Sequence, residues 1–248
     1  MITLHQVSKS YNGKVKAVDN IDLVVNNGEI FGFLGPNGAG KTTTIKMITG
    51  ILTPDSGDIK VGNYDIVRQP LEAKRSFSFV PDDPNVFPRL KGIEYLRFMG
   101  DIYQVPADLR TSRITSLASR FGLSDVLTDR IQSYSHGMRQ KLMIIGGLLH
   151  DPDVWILDEP MTGLDPRSSF VLKEMMREHA GGGKTVFFST HVLDVAEKVC
   201  DRVAIIDRGH ILFCGTIADL RDFSSSNSSL ETMFLELVGE TEGEGAQA

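Results

Sequence analysis

One glycine-rich segment constrains the fold more than any other part of the sequence. It reads Gly35-Pro-Asn-Gly-Ala-Gly40-Lys41-Thr42 and matches the phosphate-loop spacing G-x-x-x-x-G-K-[ST]. The apolar run Ile30–Leu34 precedes it as a predicted strand, and a helical pattern begins at Lys41. These elements together form a cradle for phosphate oxygens, because backbone N–H groups and the positive end of the helix face the anion. The segment therefore predicts a phosphate-binding site in an α/β domain.

Residues of this segment have individual predicted roles. The Lys41 ammonium group is expected to reach the β- and γ-phosphates of a nucleotide, and the Thr42 hydroxyl is expected to occupy one position on Mg²⁺. The residues predicted to contact the nucleotide here are Gly35, Pro36, Asn37, Gly38, Ala39, Gly40, Lys41, Thr42 and Thr43.

The alternation of apolar runs and helical patterns indicates the fold class. Several runs do not alternate with polar residues, as expected for strands that are covered on both faces. The runs are Ile2–Val7, Ile21–Val25, Ile30–Leu34, Phe77–Val80, Val154–Leu157, Val186–Ser189 and Val203–Ile206. The helical patterns are Lys41–Thr49, Ser168–His179 after the candidate N-cap Asp165-Pro166, and Val192–Val199. This alternation predicts an α/β domain with a largely parallel sheet.

A helical block interrupts the alternation. The helix-like stretches are Gly92–Tyr103, Asp108–Phe121, Ser124–Leu127 and Met138–Leu149. They predict a helical subdomain, inserted at about residues 88–150 of a domain that spans residues 1–223. In residues 224–248 we expect a serine-rich linker at Ser224–Ser229, one amphipathic helix at Leu230–Val238 and an acidic, disordered tail from Gly239.

Two carboxylates follow the buried run Val154–Leu157. Asp158 and Glu159 come at the carboxyl end of a predicted strand, which is where ligands bind in open α/β sheets. Asp158 is predicted to hold Mg²⁺, and Glu159 is predicted to orient or deprotonate the attacking water. The alternative, that both carboxylates only cap a loop, is disfavoured by the phosphate loop elsewhere in the chain.

Four further elements are weak when each is taken alone. Ser135 is a candidate N-cap, and Gly137 permits a close approach at the start of the helix near Met138. A Ser-x-Gly sequence before a helix is usually only a cap. The other three elements are Tyr11, the loop Gly163-Leu164-Asp165, and His191 after a strand.

Composition and missing motifs disfavour other functions. The formal charge of −6 disfavours nucleic-acid binding. Because five glutamates lie in residues 224–248, most of that charge belongs to this segment and not to the predicted domain. The exclusion of nucleic acid therefore rests mainly on the motifs. Asn-Lys-x-Asp, G-x-G-x-x-G and H-E-x-x-H are absent, which disfavours a GTPase, a dinucleotide-binding domain and a zinc protease. Cys200 and Cys214 are expected to be small buried residues. No apolar run reaches about 18 residues and the N-terminus lacks a signal peptide, so we expect neither a membrane span nor secretion.

The order of these elements resembles the ATP-binding subunit of ATP-binding-cassette (ABC) transporters over about Ile2–Val238. The resemblance implies a P-loop ATPase core with a mainly parallel sheet, an N-terminal antiparallel β subdomain and an inserted helical subdomain. It also implies Mg²⁺-dependent ATP hydrolysis, with ATP and Mg²⁺ as the expected cofactors.

The same resemblance implies roles for the weak elements. Tyr11 would stack on adenine, and His191 would contact the γ-phosphate and the attacking water. Ser135 and Gly137 would contact the γ-phosphate bound to an opposing subunit, and Asp165 would lie at the interface between the two subunits. Two ATP molecules would then lie between the subunits of a head-to-tail homodimer or heterodimer.

Two positions depart from the commonest family pattern. The Leu-Ser-Gly-Gly-Gln signature reads Tyr134-Ser135-His136-Gly137-Met138 here, so His136 adds bulk at the expected seam. Asp82 stands where the family has a glutamine, and it is a candidate ligand of Mg²⁺ that adds negative charge near the triphosphate. These replacements resemble the export branch, which includes drug, antibiotic and peptide efflux ATPases.

The resemblance finally implies partners and a location. A separate transmembrane permease is expected, with this subunit peripheral to the cytoplasmic face of the membrane and with no nucleic acid bound. Permease helices would dock beside the loop Asp82–Arg89. There Val86-Phe87 is a candidate contact, and ordinary packing of the subdomain is an equally good explanation of these two residues.

The alternative function is a soluble ABC ATPase in translation, repair or iron–sulfur assembly. The single cassette, the absence of a heptad run and the negative charge disfavour it.

Overall fold

The computed structural model describes residues 1–13, 15–85, 87–223 and 230–244. The strands are β1 (Ile2–Tyr11), β2 (Val15–Val25), β3 (Ile30–Leu34), β4 (Ser56–Val61), β5 (Tyr64–Asp65), β6 (Phe77–Val80), β7 (Val154–Leu157), β8 (Thr185–Thr190), β9 (Arg202–Asp207) and β10 (His210–Gly215). The α-helices are α1 (Lys41–Ile48), α2 (Pro70–Ser76), α3 (Gly92–Ile102), α4 (Ala107–Phe121), α5 (His136–Leu148), α6 (Pro166–Gly181), α7 (Leu193–Val199), α8 (Ile217–Phe223) and α9 (Leu230–Glu244).

The larger sheet has six strands in the order β10-β9-β3-β8-β7-β6. All neighbouring pairs are parallel except β10 with β9. Strands β3, β7 and β8 are buried at every residue, which explains why their sequences do not alternate. The predicted mainly parallel sheet is therefore confirmed. Because parallel strands end at the same edge, the segments that follow β3, β8, β7 and β6 lie side by side there.

The smaller sheet is antiparallel and has the order β2-β1-β4-β5. It is the expected N-terminal β subdomain. Strands β1 and β2 extend beyond the predicted runs Ile2–Val7 and Ile21–Val25. The predicted runs were too short because register shifts interrupt the alternation of apolar and polar residues along both strands. Gln6 and Asn20 have left-handed φ values of +48° and +49° within these strands. Strands β4 and β5 and helix α2 are short, lack an apolar run and were not predicted. Strand β10, which contains the short apolar run Ile211–Cys214, was not predicted either.

The helical block lies between β6 and β7, as the fold class predicts. It comprises α3, α4 and α5, with short 3₁₀ turns at Ser124–Val126 and Ile131–Ser133. Its core includes Tyr95, Leu96, Ile114 and Phe121, and it is continuous with residues of the central sheet such as Trp155. This shared core fixes the helical block against the larger sheet.

The C-terminal helices pack on α7. Met233 of α9 is fully buried in a cluster with Ala196 of α7, Ile205 of β9 and Leu220 of α8. Helix α9 continues to Glu244, so the prediction that it ends at Val238 was wrong and residues 239–244 are helical. The predicted linker Ser224–Ser229 and residues 245–248 lie outside the described residues.

The two cysteines differ from each other. Cys200 packs closely against Gly32 of β3, and burial raises the pKa of its thiol. Cys214 is exposed, contrary to the prediction, because it lies on the edge strand β10. Within the described ranges, the helices are all too short or too polar to cross a membrane.

Candidate active site

The phosphate loop connects β3 to α1 at the carboxyl edge of the larger sheet. Gly40 has a φ of +111°, which favours glycine strongly. A Cβ atom there would lie 2.4 Å from the carbonyl oxygen of Ala17, and a Cβ atom at Gly35 would lie 2.4 Å from the carbonyl oxygen of Ile206. The loop therefore packs closely against β2 and β9, and only glycine fits at positions 35 and 40.

Lys41 is buried at the start of α1. Its ammonium group donates hydrogen bonds to the carbonyl oxygens of Gly35 at 2.7 Å and Pro36 at 3.1 Å. It also lies 3.7 Å from Oε1 of Glu159. Burial lowers the pKa of Lys41, while the negative charges of Glu159 and Asp158 oppose this shift. The lysine is thus held by carbonyl oxygens of its own loop and by one carboxylate.

A cavity of about 200 Å³ opens beside the loop. Its wall is formed by Ala17, Pro36, Asn37, Gly38, Gly40, Lys41, Thr42, Thr43, Asp82 and Glu159. Larger cavities of about 430 and 470 Å³ lie on the helical block and beside α6. We locate the site by its chemistry rather than by size, because the smaller cavity gathers the phosphate loop and two carboxylates.

Asp158 and Glu159 are held by a residue that the sequence analysis missed. The buried Ser189 hydroxyl donates to Oδ1 of Asp158 at 2.5 Å and accepts from the backbone N–H of Glu159 at 3.0 Å. Glu159 has a φ of +46°, so its backbone is held in an unfavourable region. The signal in the sequence was the position of Ser189 at the end of a buried strand, two residues before His191.

Glu159 lies between two basic side chains. Its Oε1 faces Lys41, and its Oε2 is 3.0 Å from Nδ1 of His191. The His191 side chain is 54% exposed, whereas that of Glu159 is 14% exposed. The structure thus brings Lys41, Glu159 and His191 together in one row. A carboxylate in this position can accept a proton from a water molecule at the cavity.

Asp82 follows β6 and lies on the wall of the same cavity. Burial raises the pKa of Asp82, and the negative charges of Asp158 and Glu159 raise it further, while His136 opposes the shift. Asp82 therefore adds a third carboxylate near those of Asp158 and Glu159.

The donors near the loop suit Mg²⁺. Thr42, Asp158 and Asp82 offer oxygen atoms, and Mg²⁺ is commonly bound by one or two carboxylates together with phosphates and waters. The described residues contain no group of three or more His, Cys, Asp and Glu side chains that could hold a metal ion by themselves. A divalent ion held by these oxygen atoms could also take ligands from a bound phosphate.

An exposed face of the smaller sheet adjoins the loop. Tyr11 is 44% exposed, and its hydroxyl lies 3.5 Å from Oγ1 of Thr43. Val15 is its cross-strand partner in β2 and is also exposed. Ala17 of β2, which lies at a register shift between the two strands, also lines the cavity. These residues form a small platform beside the phosphate loop.

The Ser-x-Gly segment and Asp165 form a separate group. Ser135 is the N-cap of α5 and accepts from the N–H of Met138 at 3.3 Å, so α5 begins at His136 rather than near Met138. Asp165 is the N-cap of α6, as predicted from Asp165-Pro166. In the described chain, Ser135, Gly137 and Asp165 are not on the wall of the cavity beside Lys41.

The loop after β6 is tied to the helical block. Nη1 of Arg139 donates to Oδ1 of Asn85 at 2.6 Å. Phe87 is exposed, and its ring packs against Tyr95 at 5.9 Å and Phe98 at 5.5 Å between ring centres. Val86, the other half of the predicted apolar contact, lies outside the described residues.

Comparisons with known proteins agree with this architecture. The sequence profile of the ABC transporter family matches residues 18–162. The ABC transporter ATP-binding protein NatA of Bacillus subtilis (strain 168) is 36% identical, over 95% of this chain and 97% of NatA. The linearmycin resistance ATP-binding protein LnrL of the same organism is 37% identical, over 89% of this chain and 70% of LnrL. A solved structure of the ATP-binding subunit of an ABC transporter superposes with a TM-score of 0.91 and 33% identity, over 96% of this chain and 99% of that chain.

Proposed function

This chain belongs to the ABC transporter family as an ATP-binding subunit, and on that premise we propose that it hydrolyses ATP with Mg²⁺ to drive export through a separate permease. The observation that carries the proposal is the row Lys41–Glu159–His191 beside the phosphate loop. The permease would select the transported substrate.

ATP binding would use the cradle and the platform. Backbone N–H groups of the loop and the N-terminus of α1 would receive the phosphates. Lys41 would exchange the carbonyl oxygens of Gly35 and Pro36 for β- and γ-phosphate oxygens, whose charge stabilises the buried ammonium group. Tyr11 and Val15 would pack against adenine.

Hydrolysis would use Glu159 as the base. A water oxygen attacks the γ-phosphorus, the bond from phosphorus to the β–γ bridging oxygen breaks, and the water proton passes to the Glu159 carboxylate. His191 would orient that carboxylate and contact the γ-phosphate, while Ser189 fixes the Glu159 backbone. Thr42 and Asp158, with Asp82 at the edge, would hold Mg²⁺, which neutralises charge on the phosphate oxygens.

A second subunit would complete each site. Ser135 and Gly137 lie at the N-terminus of α5, a place suited to an anion, yet within the described residues they do not line the cavity beside their own phosphate loop. A head-to-tail pair would bring this segment to the γ-phosphate bound by the opposing subunit, with Asp165 at the seam. The second subunit is either another copy or a related chain.

The permease would contact the exposed aromatic group of Phe87 and Phe98 beside the loop 82–89. The exposure of both rings supports this contact. The proposal places the subunit peripherally, at the cytoplasmic face of the membrane. The name of the relative LnrL, which refers to resistance, supports export as the direction of transport.

Mixing two inactive variants tests the head-to-tail arrangement. Lys41→Ala removes the phosphate contact, and Ser135→Arg blocks the N-terminus of α5. Each variant alone should lack ATPase activity. A mixture should recover part of it, because a mixed pair contains one site with both Lys41 and Ser135 intact. If the mixture stays as inactive as the separate variants, the shared-site proposal is wrong.

A further inference from the structure

An ion pair between a mostly buried lysine and a half-exposed aspartate joins α5 to the loop before α6. Nζ of Lys141 donates to Oδ2 of Asp165 at 2.8 Å, and only 14% of the Lys141 side chain is exposed. Asp165 also accepts from the N–H of Ser168 at 2.9 Å and from its hydroxyl at 2.6 Å. These hydrogen bonds, the one from Lys141 foremost, hold the pKa of Asp165 well below its usual range. The carboxylate therefore caps α6 and anchors Lys141 at once.

Backbone packing joins the same two segments. A Cβ atom at Gly137 would lie 2.5 Å from the carbonyl oxygen of Gly163, so no larger residue fits there. Gly163 has a φ of +75°, and a Cβ atom on it would lie 2.4 Å from the ring of His136. The His136–Gly137 segment and the loop 163–165 are therefore in direct contact within one subunit.

We propose that Lys141 is a positioning residue, which fixes the loop 163–165 on α5 so that Ser135, Gly137 and Asp165 meet the opposing subunit as one rigid surface. This inference rests on the proposed head-to-tail pair, because the surface acts only when a second subunit closes on it. Without the lysine, Asp165 keeps its hydrogen bonds to Ser168 and still caps α6. The loop, however, loses the ion pair that connects it to α5. Lys141 does not line the cavity in the described chain, so ATP binding by a single subunit should not change.

The experiment uses the full chain with Glu159→Gln, which is expected to hold ATP without turning it over. Into this background we introduce Lys141→Met, Lys141→Arg and the control Lys184→Met. Lys184 forms a comparable ion pair with Asp151 and is 23% exposed, but it precedes β8 at the opposite edge of the sheet. The measurements are ATP affinity of the monomer, the dimer dissociation constant with ATP, and amide hydrogen exchange of the loop 163–165.

Lys141→Met should weaken ATP-dependent dimer formation about two- to fivefold, as expected for an ion pair whose carboxylate is half exposed, and should leave monomer ATP affinity unchanged. Lys141→Arg should restore dimer formation, and Lys184→Met should match the parent. Amides of the loop should exchange faster in Lys141→Met alone. An unchanged dimer constant, or an equal loss in Lys184→Met, would overturn the inference.

The two proposals can fail separately. If the Glu159→Gln parent does not pair with ATP at all, the proposed dimer is wrong. Amide exchange in the monomer still decides whether Lys141 holds the loop. Loop exchange in Lys141→Met equal to that of the parent would refute the positioning role under either condition.

Discussion

Removing the hydroxyl of Ser189 should damage both stability and turnover. Ser189→Ala deletes one bond to the buried Asp158 carboxylate and one from the N–H of Glu159. A bond to a charged group contributes about 1.5–3 kcal/mol and a neutral one about 0.5–1.5 kcal/mol. Allowing for relaxation, we expect the free energy of unfolding to fall by about 2–3 kcal/mol. In a chain of this size that lowers Tm by roughly 4–12 °C.

Turnover should fall more than ATP affinity. Ser189 touches Asp158 and Glu159 but does not line the cavity in the described chain, so its loss disturbs catalytic groups rather than the phosphate cradle. Loss of such a supporting contact typically reduces activity by about 10–100-fold. Thermal unfolding, calorimetric ATP binding and steady-state phosphate release measure the three quantities.

Ser78→Ala provides a matched control. Ser78 is equally buried, on β6, but its hydroxyl has no hydrogen-bond partner among the described residues. Its removal should leave both Tm and turnover close to those of the parent. The reasoning is refuted if Ser189→Ala behaves like Ser78→Ala, or if its loss of activity comes entirely from weaker ATP binding.

Three other predictions concern the nucleotide and pH. Lys41→Ala should abolish tight ATP binding, because the cavity loses the ammonium group of Lys41; calorimetry showing parental affinity would contradict the phosphate-loop assignment. Tyr11→Ala should weaken ATP binding by roughly 1–2 kcal/mol, the size of one base–aromatic stack, whereas Tyr11→Phe should bind normally; equal losses would exclude stacking. Burial lowers the pKa of His150 to about 4, so only the unfolded chain takes up its proton just below pH 6.5. Stability should therefore fall as pH drops from 6.5 towards 4. His150→Phe retains a ring against Tyr103 and should reduce the loss of unfolding free energy between pH 7 and pH 5, measured by urea unfolding. An unchanged loss would mean that other groups cause the pH dependence.

The parts of the structure that were predictable from sequence are local or strongly patterned. The phosphate loop is one continuous segment, and its glycines are dictated by backbone geometry. The buried strands β3, β7 and β8 have apolar runs because both faces are covered. Asp165-Pro166 identified the start of α6 since capping acts between neighbouring residues.

The missed features depend on contacts between distant segments. Ser189 has a role only because β8 pairs with β7 and brings its hydroxyl to Asp158. Lys141 meets Asp165 because two helices start side by side, which no spacing in the sequence encodes. The outer parts of β1 and β2 were missed because register shifts interrupt the alternation of apolar and polar residues.

The most direct test of the account is turnover by Glu159→Gln. Removing the base should lower steady-state phosphate release by about 10²–10⁴-fold while ATP stays bound. The control is Glu178→Gln, an exposed glutamate paired with Arg120 on the helical block, which should leave turnover unchanged. Phosphate release by Glu159→Gln close to that of the parent would contradict the assignment of Glu159 and, with it, the proposed reaction.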